Sequence, residues 1–355
     1  MRKKGKMIVL IVLLVLAAMM FIVFPPSLGR LPEASGDDAL SERTTLNVDG
    51  AELSLMILSE DISNPVLLVC GGGPGIPQYL VEYMYPSALS EEFTVCYWDY
   101  RGTGASYSSD IDPEEMTTER FIADTVAVTD YLSSRFSQDK IFIMGHSFGT
   151  YVAVNTVSRY PEKYCAYIAM SQITDQVRSE TIAYEYMREQ YDLQGNTKMV
   201  EQLDLYDITT AEGLADYRSS MARDNGMHGL GIGTTRDMDN VITDIFFPSL
   251  RCIAYTQGER IDIWRGKSLS KEFPVHDDTD DFNAFEDIPS LEIPVFFIVG
   301  RYDYTCYWEL QEEYYDAVEA PIKEIYIFED SAHSPLYEEY DKGREVLIDI
   351  KDKVM

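Results

Sequence analysis

Several residue types are scarce in this chain of 355 residues, and each scarcity narrows what the protein can be. Its five cysteines are an odd number and provide no disulfide framework. Only four histidines are present, and no spaced cluster of metal ligands or internal repeat occurs, so we expect no metal and no cofactor. The chain has 29 Lys and Arg residues and 60 Asp and Glu residues, so its net charge is −31. Such a surface repels the phosphates of nucleic acids and anionic lipid headgroups, so neither is an expected partner.

Charged residues are absent from one long stretch near the N-terminus. Residues 7–24 are uninterrupted apolar, preceded by four cations and followed by Pro25 and Pro26. At about 1.5 Å per residue this segment extends for about 27 Å, close to the hydrocarbon thickness of a bilayer. We therefore expect residues 1–26 to be a single-pass anchor, with its basic end cytoplasmic and the rest of the chain extracytoplasmic. The alternative is a signal peptide cleaved near Ser27–Gly29, which would release a secreted protein.

The remaining sequence alternates apolar strand-like runs with helical patterns. This alternation predicts an α/β fold: a mostly parallel, eight-stranded sheet covered by helices on both faces. After a linker at 27–42, the sheet domain is expected to occupy 43–172 and 291–355. The intervening residues 173–290 read as helices and loops and are too many for a loop, so they predict a helical cap. The strands are expected near 44–49, 51–58, 65–70, 93–98, 140–145, 165–170, 294–299 and 323–328.

A G-x-S-x-G pentapeptide, Gly145–Gly149, lies between a strand-like run at 141–144 and a helical pattern at 150–159. A strand that turns sharply into a helix raises the central side chain above the carboxyl edge of a parallel sheet. The adjoining helix N-terminus favours developing negative charge. Ser147 is therefore the candidate nucleophile.

A serine hydroxyl needs a base to accept its proton, and the base needs an acid that orients it. In this architecture the acid and then the histidine follow the serine along the chain. His333 lies just after the strand-like residues 324–328 and is the expected base. Asp303 follows the apolar run 294–299 and is the expected acid.

Acyl transfer also requires hydrogen-bond donors for the oxyanion. Residues 66–70 form a strand-like run that leads into Gly71-Gly72-Gly73-Pro74-Gly75. Backbone without side chains can present its N–H groups at close range. We expect the amides of Gly73 and Phe148 to form the oxyanion hole, although the sequence does not decide which glycine donates.

Four of these segments together resemble the boxes of the proline iminopeptidase family of α/β-hydrolases. The glycine-rich segment resembles its His-Gly-Gly-Pro-Gly box, and residues 98–106 resemble its Asp-x-Arg-Gly-x-Gly-x-Ser box. Residues 300–303 and 331–335 resemble its acid and histidine boxes. The resemblance implies a capped α/β-hydrolase that removes an N-terminal residue, often proline, from a peptide. Gly71 replaces the box histidine, and Phe148 stands where the family often has Trp.

The resemblance also implies that acids of the cap bind the free amine of the substrate. Glu180, Glu185 and Glu189 lie three to five residues apart on an expected helix and are candidates, as is Gly72 for contact with the substrate. The alternative for the glutamates is an ordinary solvated helix face.

The sequence therefore predicts an extracytoplasmic serine hydrolase that works through an acyl-enzyme. Aminopeptidase action on short peptides is the first expectation, and carboxylesterase or lipase-like action on small esters is the alternative. A non-catalytic binding protein on the same scaffold is a third hypothesis. The membrane is expected to be contacted only through the N-terminal segment, and the oligomeric state is left open.

Overall fold

A computed structural model describes residues 22–355, and its centre is one eight-stranded sheet. The strand order is β1-β2-β4-β3-β5-β6-β7-β8. β2 pairs antiparallel with β1 and β4, whereas the other neighbours pair in parallel. The predicted α/β architecture with a mostly parallel sheet is confirmed. The strands are β1 Leu40–Val48, β2 Ala51–Ser59, β3 Val66–Cys70, β4 Thr94–Trp98, β5 Ile141–His146, β6 Tyr164–Met170, β7 Val295–Gly300 and β8 Lys323–Phe328.

Helices cover both faces of the sheet, which explains why the central strands are apolar throughout. Every residue of β3, β4, β5 and β7 is buried. Strands that contact helices on both sides have no polar face, in contrast to the alternating pattern of a half-exposed strand. The helices are α1 Gln78–Met84, α2 Leu89–Glu92, α3 Thr118–Phe136, α4 Phe148–Arg159, α5 Gln176–Leu193, α6 Thr197–Leu203, α7 Ala211–Arg218, α8 Met221–Gly229, α9 Phe247–Arg251, α10 Gln257–Leu269, α11 Val275–Asp281, α12 Ala284–Asp287, α13 Trp308–Ala317, α14 Pro335–Glu338 and α15 Tyr340–Val354.

A helical insertion separates β6 from β7, in the region that the sequence assigned to a cap. The chain leaves the sheet domain and returns to it at one point, where the Ala284 N–H donates to the Thr174 carbonyl at 2.7 Å. The first part of the insertion, through residue 232, has an apolar cluster of its own around Met187 and Tyr217. The second part packs into the apolar layers of the sheet domain, for example through Ile263. The insertion therefore consists of an outer helical unit and an inner part that belongs to the sheet domain's core.

The N-terminal end of the described chain lies against the inner part of the insertion. The Arg30 N–H donates to the Ile253 carbonyl at 3.1 Å, and Arg260 Nη1 donates to the Pro25 carbonyl at 2.7 Å. Most of the expected anchor at 1–26 lies outside the described residues. Within 22–355, no helix combines the length and apolarity needed to cross a bilayer.

Candidate active site

Ser147 lies at the turn between β5 and α4 in a backbone conformation that non-glycine residues rarely adopt. Its φ is 54° and its ψ is −123°. The turn tolerates no side chain at its flanks, because a Cβ on Gly149 would lie 1.9 Å from the Cys70 carbonyl oxygen. A Cβ on Gly145 would lie 2.5 Å from the Thr150 Cα. The strained serine is thus held between two positions that require glycine, as expected of a nucleophile turn.

Asp303 and His333 meet although they are 30 residues apart. His333 Nδ1 lies 2.9 Å from Asp303 Oδ1. The same carboxylate oxygen accepts the backbone N–H groups of Thr305 and Cys306 at 3.0 and 2.9 Å. Gln311 Nε2 donates to the other oxygen at 3.1 Å. Asp303 is fully buried and its oxygens accept several hydrogen bonds, so it can orient the imidazole and hold Nδ1 protonated.

Two donors hold the backbone carbonyl of His333. His146 Nε2 lies 2.8 Å from this oxygen, and Ser171 Oγ donates to it at 2.9 Å. Because a carbonyl only accepts, His146 Nε2 must carry the proton. Burial lowers the pKa of His146 to about 3, which favours the neutral ring at physiological pH. The two imidazole centroids are 5.1 Å apart, which places His333 beside the residue that precedes Ser147.

Glu338 fixes the loop around His333 from the other side. Its Oε1 accepts the N–H groups of Ala332 and Ser334 at 2.9 and 3.2 Å. Its Oε2 accepts the Arg236 N–H of the insertion at 2.7 Å. Burial raises the pKa of this carboxyl to about 7. One side chain therefore joins the histidine loop to the helical insertion.

The glycine-rich loop after β3 borders Ser147. A Cβ on Gly72 would lie 3.2 Å from the Ser147 Cβ, a tight contact that a larger residue could make only if its neighbours shifted. The Gly72 N–H is already used, because it donates to Gln78 Oε1 at 3.1 Å. The next residue, Gly73, is exposed and has a φ of 118°. Within 22–355, neither the Gly73 nor the Phe148 N–H donates a hydrogen bond, so both amides are free to bind an oxyanion.

The three candidate glutamates of α5 occupy different environments. Glu185 and Glu189 are exposed. Glu180 is buried, and both of its oxygens accept from Arg223, at 2.6 and 2.8 Å. Gln176 Nε2 donates to the same carboxylate at 3.0 Å. The structure therefore brings only Glu180 toward the interior, and there it is already paired with a cation.

Cys306 connects this ion pair to the candidate triad. Its thiol lies 3.8 Å from Gln176 Oε1. Burial raises its pKa well above the usual thiol value, and the carboxylates of Asp303 and Glu180 act in the same direction. Cys306 is therefore a protonated, buried thiol between Asp303 and the helical insertion. Among residues 22–355 there is no group of three or more His, Cys, Asp or Glu residues that could hold a metal ion.

Sequence reasoning missed the residues that support the site. Gln311 contacts Asp303 from α13, and Ser171 and Glu338 hold the histidine loop. Ser171 directly follows a buried strand, as Ser147 does, and its positive φ of 57° was not visible in the pattern. Glu338 lies five residues after His333, and this short spacing is the one signal that could have indicated it.

The chain is similar over most of its length to proteins named as peptidases. The family model described as "Serine aminopeptidase, S33" matches residues 83–188. A probable aminopeptidase, YbaC, from Bacillus subtilis (strain 168) is 32% identical over 298 residues, which cover 83% of this chain and 91% of the relative. The chain belongs to the S33 serine aminopeptidase family. Members of this family are α/β-hydrolases, and the protein is a serine hydrolase of that type.

More distant relatives and solved structures agree with this fold. A proline iminopeptidase from Saccharolobus solfataricus is 24% identical over 302 residues, which cover 82% of this chain and 86% of the relative. The crystal structure of a proline iminopeptidase from Mycobacterium smegmatis superposes with a TM-score of 0.62 at 16% identity, covering 88% of this chain and 97% of that one. An esterase from Exiguobacterium antarcticum gives 0.54 at 14% identity, over 88% and 99%. At these identities the solved structures establish the α/β-hydrolase fold alone.

Proposed function

We propose that the protein is a membrane-anchored, extracytoplasmic aminopeptidase that cleaves short peptides through an acyl-enzyme. The single observation that carries this proposal is the bonded pair of Asp303 and His333 beside the strained turn at Ser147. Similarity to a probable aminopeptidase over most of the chain supports the peptidase assignment.

In the proposed mechanism, Ser147 Oγ attacks the scissile carbonyl while His333 Nε2 accepts its proton. Asp303 accepts a hydrogen bond from Nδ1 and stabilises the imidazolium that forms. The free amides of Gly73 and Phe148 bind the oxyanion of the tetrahedral intermediate. His333 then donates the proton to the leaving amine, and water hydrolyses the acyl-enzyme by the same steps in reverse order.

Replacement of the nucleophile tests the mechanism directly. We expect Ser147→Ala to lower kcat/KM by at least about a thousandfold, because the proposed acyl-enzyme forms on this hydroxyl. Ser158→Ala is the matched control, since Ser158 lies on α4, which begins directly after Ser147, and is exposed. A fluorophosphonate probe should label the wild type and the control on Ser147 and leave the first variant unlabelled. Near-wild-type turnover by Ser147→Ala would refute the mechanism.

The choice between peptide and ester substrates requires a separate comparison. Proline β-naphthylamide is an amide that carries a free amine. p-Nitrophenyl butyrate is an ester that has no amine. An aminopeptidase should prefer the first substrate and should lose that activity when the proline nitrogen is acylated. Preference for the ester would instead support carboxylesterase or lipase-like action, which the esterase fold neighbours keep as the second candidate. Reaction with neither substrate, together with retained ligand binding, would favour a binding protein.

Of the three glutamates, we propose Glu180 as the group that faces a substrate amine. Its burial near Cys306 supports this choice, whereas Glu185 and Glu189 point to solvent. Because Arg223 already neutralises Glu180, an entering ammonium would have to share this carboxylate with the arginine. The one carboxylate would then face two cations, so the peptide amine would bind by sharing the Arg223 ion pair rather than by meeting an isolated negative charge.

The proposed location rests on the sequence of residues 1–26. The use of Pro25 as a hydrogen-bond acceptor by Arg260 supports an N-terminus that is retained rather than cleaved. The full-length chain should stay with the membrane fraction after carbonate extraction, and its C-terminal part should be digested by protease added outside the cell. A soluble, shortened product would instead indicate cleavage near Ser27–Gly29.

A further inference from the structure

Exposed apolar side chains gather where the N-terminal segment meets the insertion. Leu28, Tyr83, Phe247, Ile253 and Ile261 are 76, 38, 38, 50 and 47% exposed, and we call them the anchor-side face. An exposed patch of large apolar side chains, unlike single scattered ones, marks a contact surface.

Hydrogen bonds and packing join the parts of the anchor-side face. Leu28 forms a β-bridge with Thr256, which directly precedes α10, the helix that carries Ile261. The Tyr83 hydroxyl donates to the Arg251 carbonyl at 3.3 Å. Phe246, next to Phe247, packs edge-on against Trp264 of α10, with ring centroids 4.9 Å apart. The five side chains therefore belong to one region around α10.

The long apolar segment of the sequence ends at this same region. Residues 7–24 are apolar, and the Phe24 ring lies 5.4 Å from the guanidinium carbon of Arg260 on α10. Arg260 is fully buried and donates to the carbonyls of Pro25 and Leu250 at 2.7 and 2.9 Å. The chain is thus fixed where it leaves the domain, next to the exposed apolar side chains.

The charge near the anchor-side face differs from that of the whole molecule. Residues 245–267 contain four cations and two acids, although the chain has 60 acids and 29 cations in total. Both acids are paired, Glu259 with Arg43 and Asp262 with Arg265. Arg30 and Arg251 are exposed in the same region. Exposed apolar groups with nearby arginines are typical of a surface that contacts anionic lipid.

A second exposed apolar group lies on the insertion and does not share these properties. Leu205 and Met221 border a groove on the outer helical unit and are 78 and 49% exposed. Glu201, Asp204 and Asp207 lie within four residues of Leu205. An acidic environment repels anionic headgroups, so this group serves as an internal comparison.

From these observations we propose that the anchor-side face rests on the bilayer surface, so that the domain has one fixed orientation on the membrane. The inference rests on the proposed anchor and adds a second, peripheral contact to it. The contact lies close to the site, because Ser270, which follows α10, donates through Oγ to the Pro74 carbonyl of the glycine-rich loop at 2.9 Å. A bilayer in contact with α10 would therefore influence the glycine-rich loop, which positions one of the proposed oxyanion donors.

Tryptophan quenching by brominated lipid tests the orientation with the full chain. The full-length protein is placed in nanodiscs of brominated phosphatidylcholine and phosphatidylglycerol, as Phe247→Trp or as the matched control Leu205→Trp. The emission of the parent, with its own three tryptophans, is subtracted. We expect the new tryptophan at 247 to be quenched at least about twofold more than that at 205, because interfacial contact buries apolar groups among acyl chains. Near-wild-type hydrolysis by both variants shows that they are folded.

The outcomes of this experiment test the proposed orientation separately from the proposed membrane anchor. Carbonate-resistant membrane association with equal quenching at 247 and 205, or with stronger quenching at 205, overturns the orientation and leaves the anchor intact. Loss of membrane association by the unmodified chain overturns both. Quenching at 247 that disappears in nanodiscs without brominated lipid, while association persists, supports the proposed contact.

Discussion

Glu338 accepts three backbone N–H groups, two from the histidine loop and one from the insertion. A glutamine has one acceptor oxygen, so Glu338→Gln must place an NH₂ group against at least one of these donors. We expect kcat to fall roughly tenfold to a hundredfold with a nearly unchanged KM, because a displaced imidazole affects the chemical step more than binding. Steady-state kinetics on the preferred substrate measures both constants.

The neighbouring residue provides the control for this substitution. Glu339 contacts the same loop, through Ser331 Oγ and the Asp330 N–H, but makes no contact with Arg236. Glu339→Gln should therefore retain most of the activity. Equal losses of kcat in the two variants would show that Glu338 has no special role in positioning His333.

The buried ring of His146 makes stability depend on pH. Burial lowers its pKa from 6.5 to about 3, so below pH 6.5 the unfolded chain binds a proton that the folded chain does not. This residue's contribution to stability is complete above pH 6.5 and is lost as the pH falls toward 3. Urea unfolding at pH 7 and pH 4.5 should show a larger loss for the wild type than for His146→Gln. Equal losses would mean that His146 is protonated in the folded protein.

At the scale of elements, the turn between β5 and α4 depends on glycine for steric reasons. A methyl group at Gly149 would overlap the Cys70 carbonyl, and backbone cannot move as a flexible side chain can. We expect Gly149→Ala to lower the free energy of unfolding by more than about 3 kcal/mol, beyond the usual cost of overpacking. Chemical denaturation measures the difference.

Gly258 is the matched control because it lies in α10 with open space around it. Its nearest neighbour for an added Cβ is Thr256 Oγ1 at 4.0 Å. Alanine is the better helix former by about 1 kcal/mol, so Gly258→Ala should be neutral or stabilising. A similar loss in both variants would contradict the steric argument.

The elements that the sequence predicted best are those whose pattern is local. The buried strands β3, β5 and β7 are short apolar runs, and each was expected within one or two residues of its observed bounds. The glycines around Ser147 and the order of acid and histidine are also local signals. The insertion was harder to predict, because the positions of its short helices depend on a shared core around Tyr217 and not on a periodic pattern in the sequence. Its packing in two parts was therefore not visible in the sequence.

At the scale of the whole molecule, the net charge of −31 should influence which substrates reach the site. An acidic surface attracts cations at long range, and salt screens this attraction beyond about 10 Å at 0.1 M ionic strength. We expect kcat/KM for a lysine-containing proline peptide to fall as NaCl is raised, whereas a neutral analogue should change little. A parallel response of the two peptides would show that the surface charge does not act on substrate capture.

The contacts between distant parts of the molecule could not be predicted from the sequence. Glu338 and Arg236 are separated by 102 residues, and Arg260 and Pro25 by 235. No local pattern links such pairs, because they become neighbours only when the sheet, the insertion and the N-terminal segment are assembled. The Asp303–His333 pair was nevertheless predictable, since both residues follow strands that end at the same edge of the sheet.

The close approach of Thr174 and Ala284 has a consequence for how this architecture varies. A segment whose two ends are a hydrogen bond apart can change in length without moving the strands on either side, provided that its inner part, which belongs to the sheet domain's core, is kept. The outer helices can thus change to suit a new ligand while the hydrolytic apparatus beneath them stays as it is. In this scaffold, the helices that decide specificity can therefore be replaced separately from the residues that carry out hydrolysis.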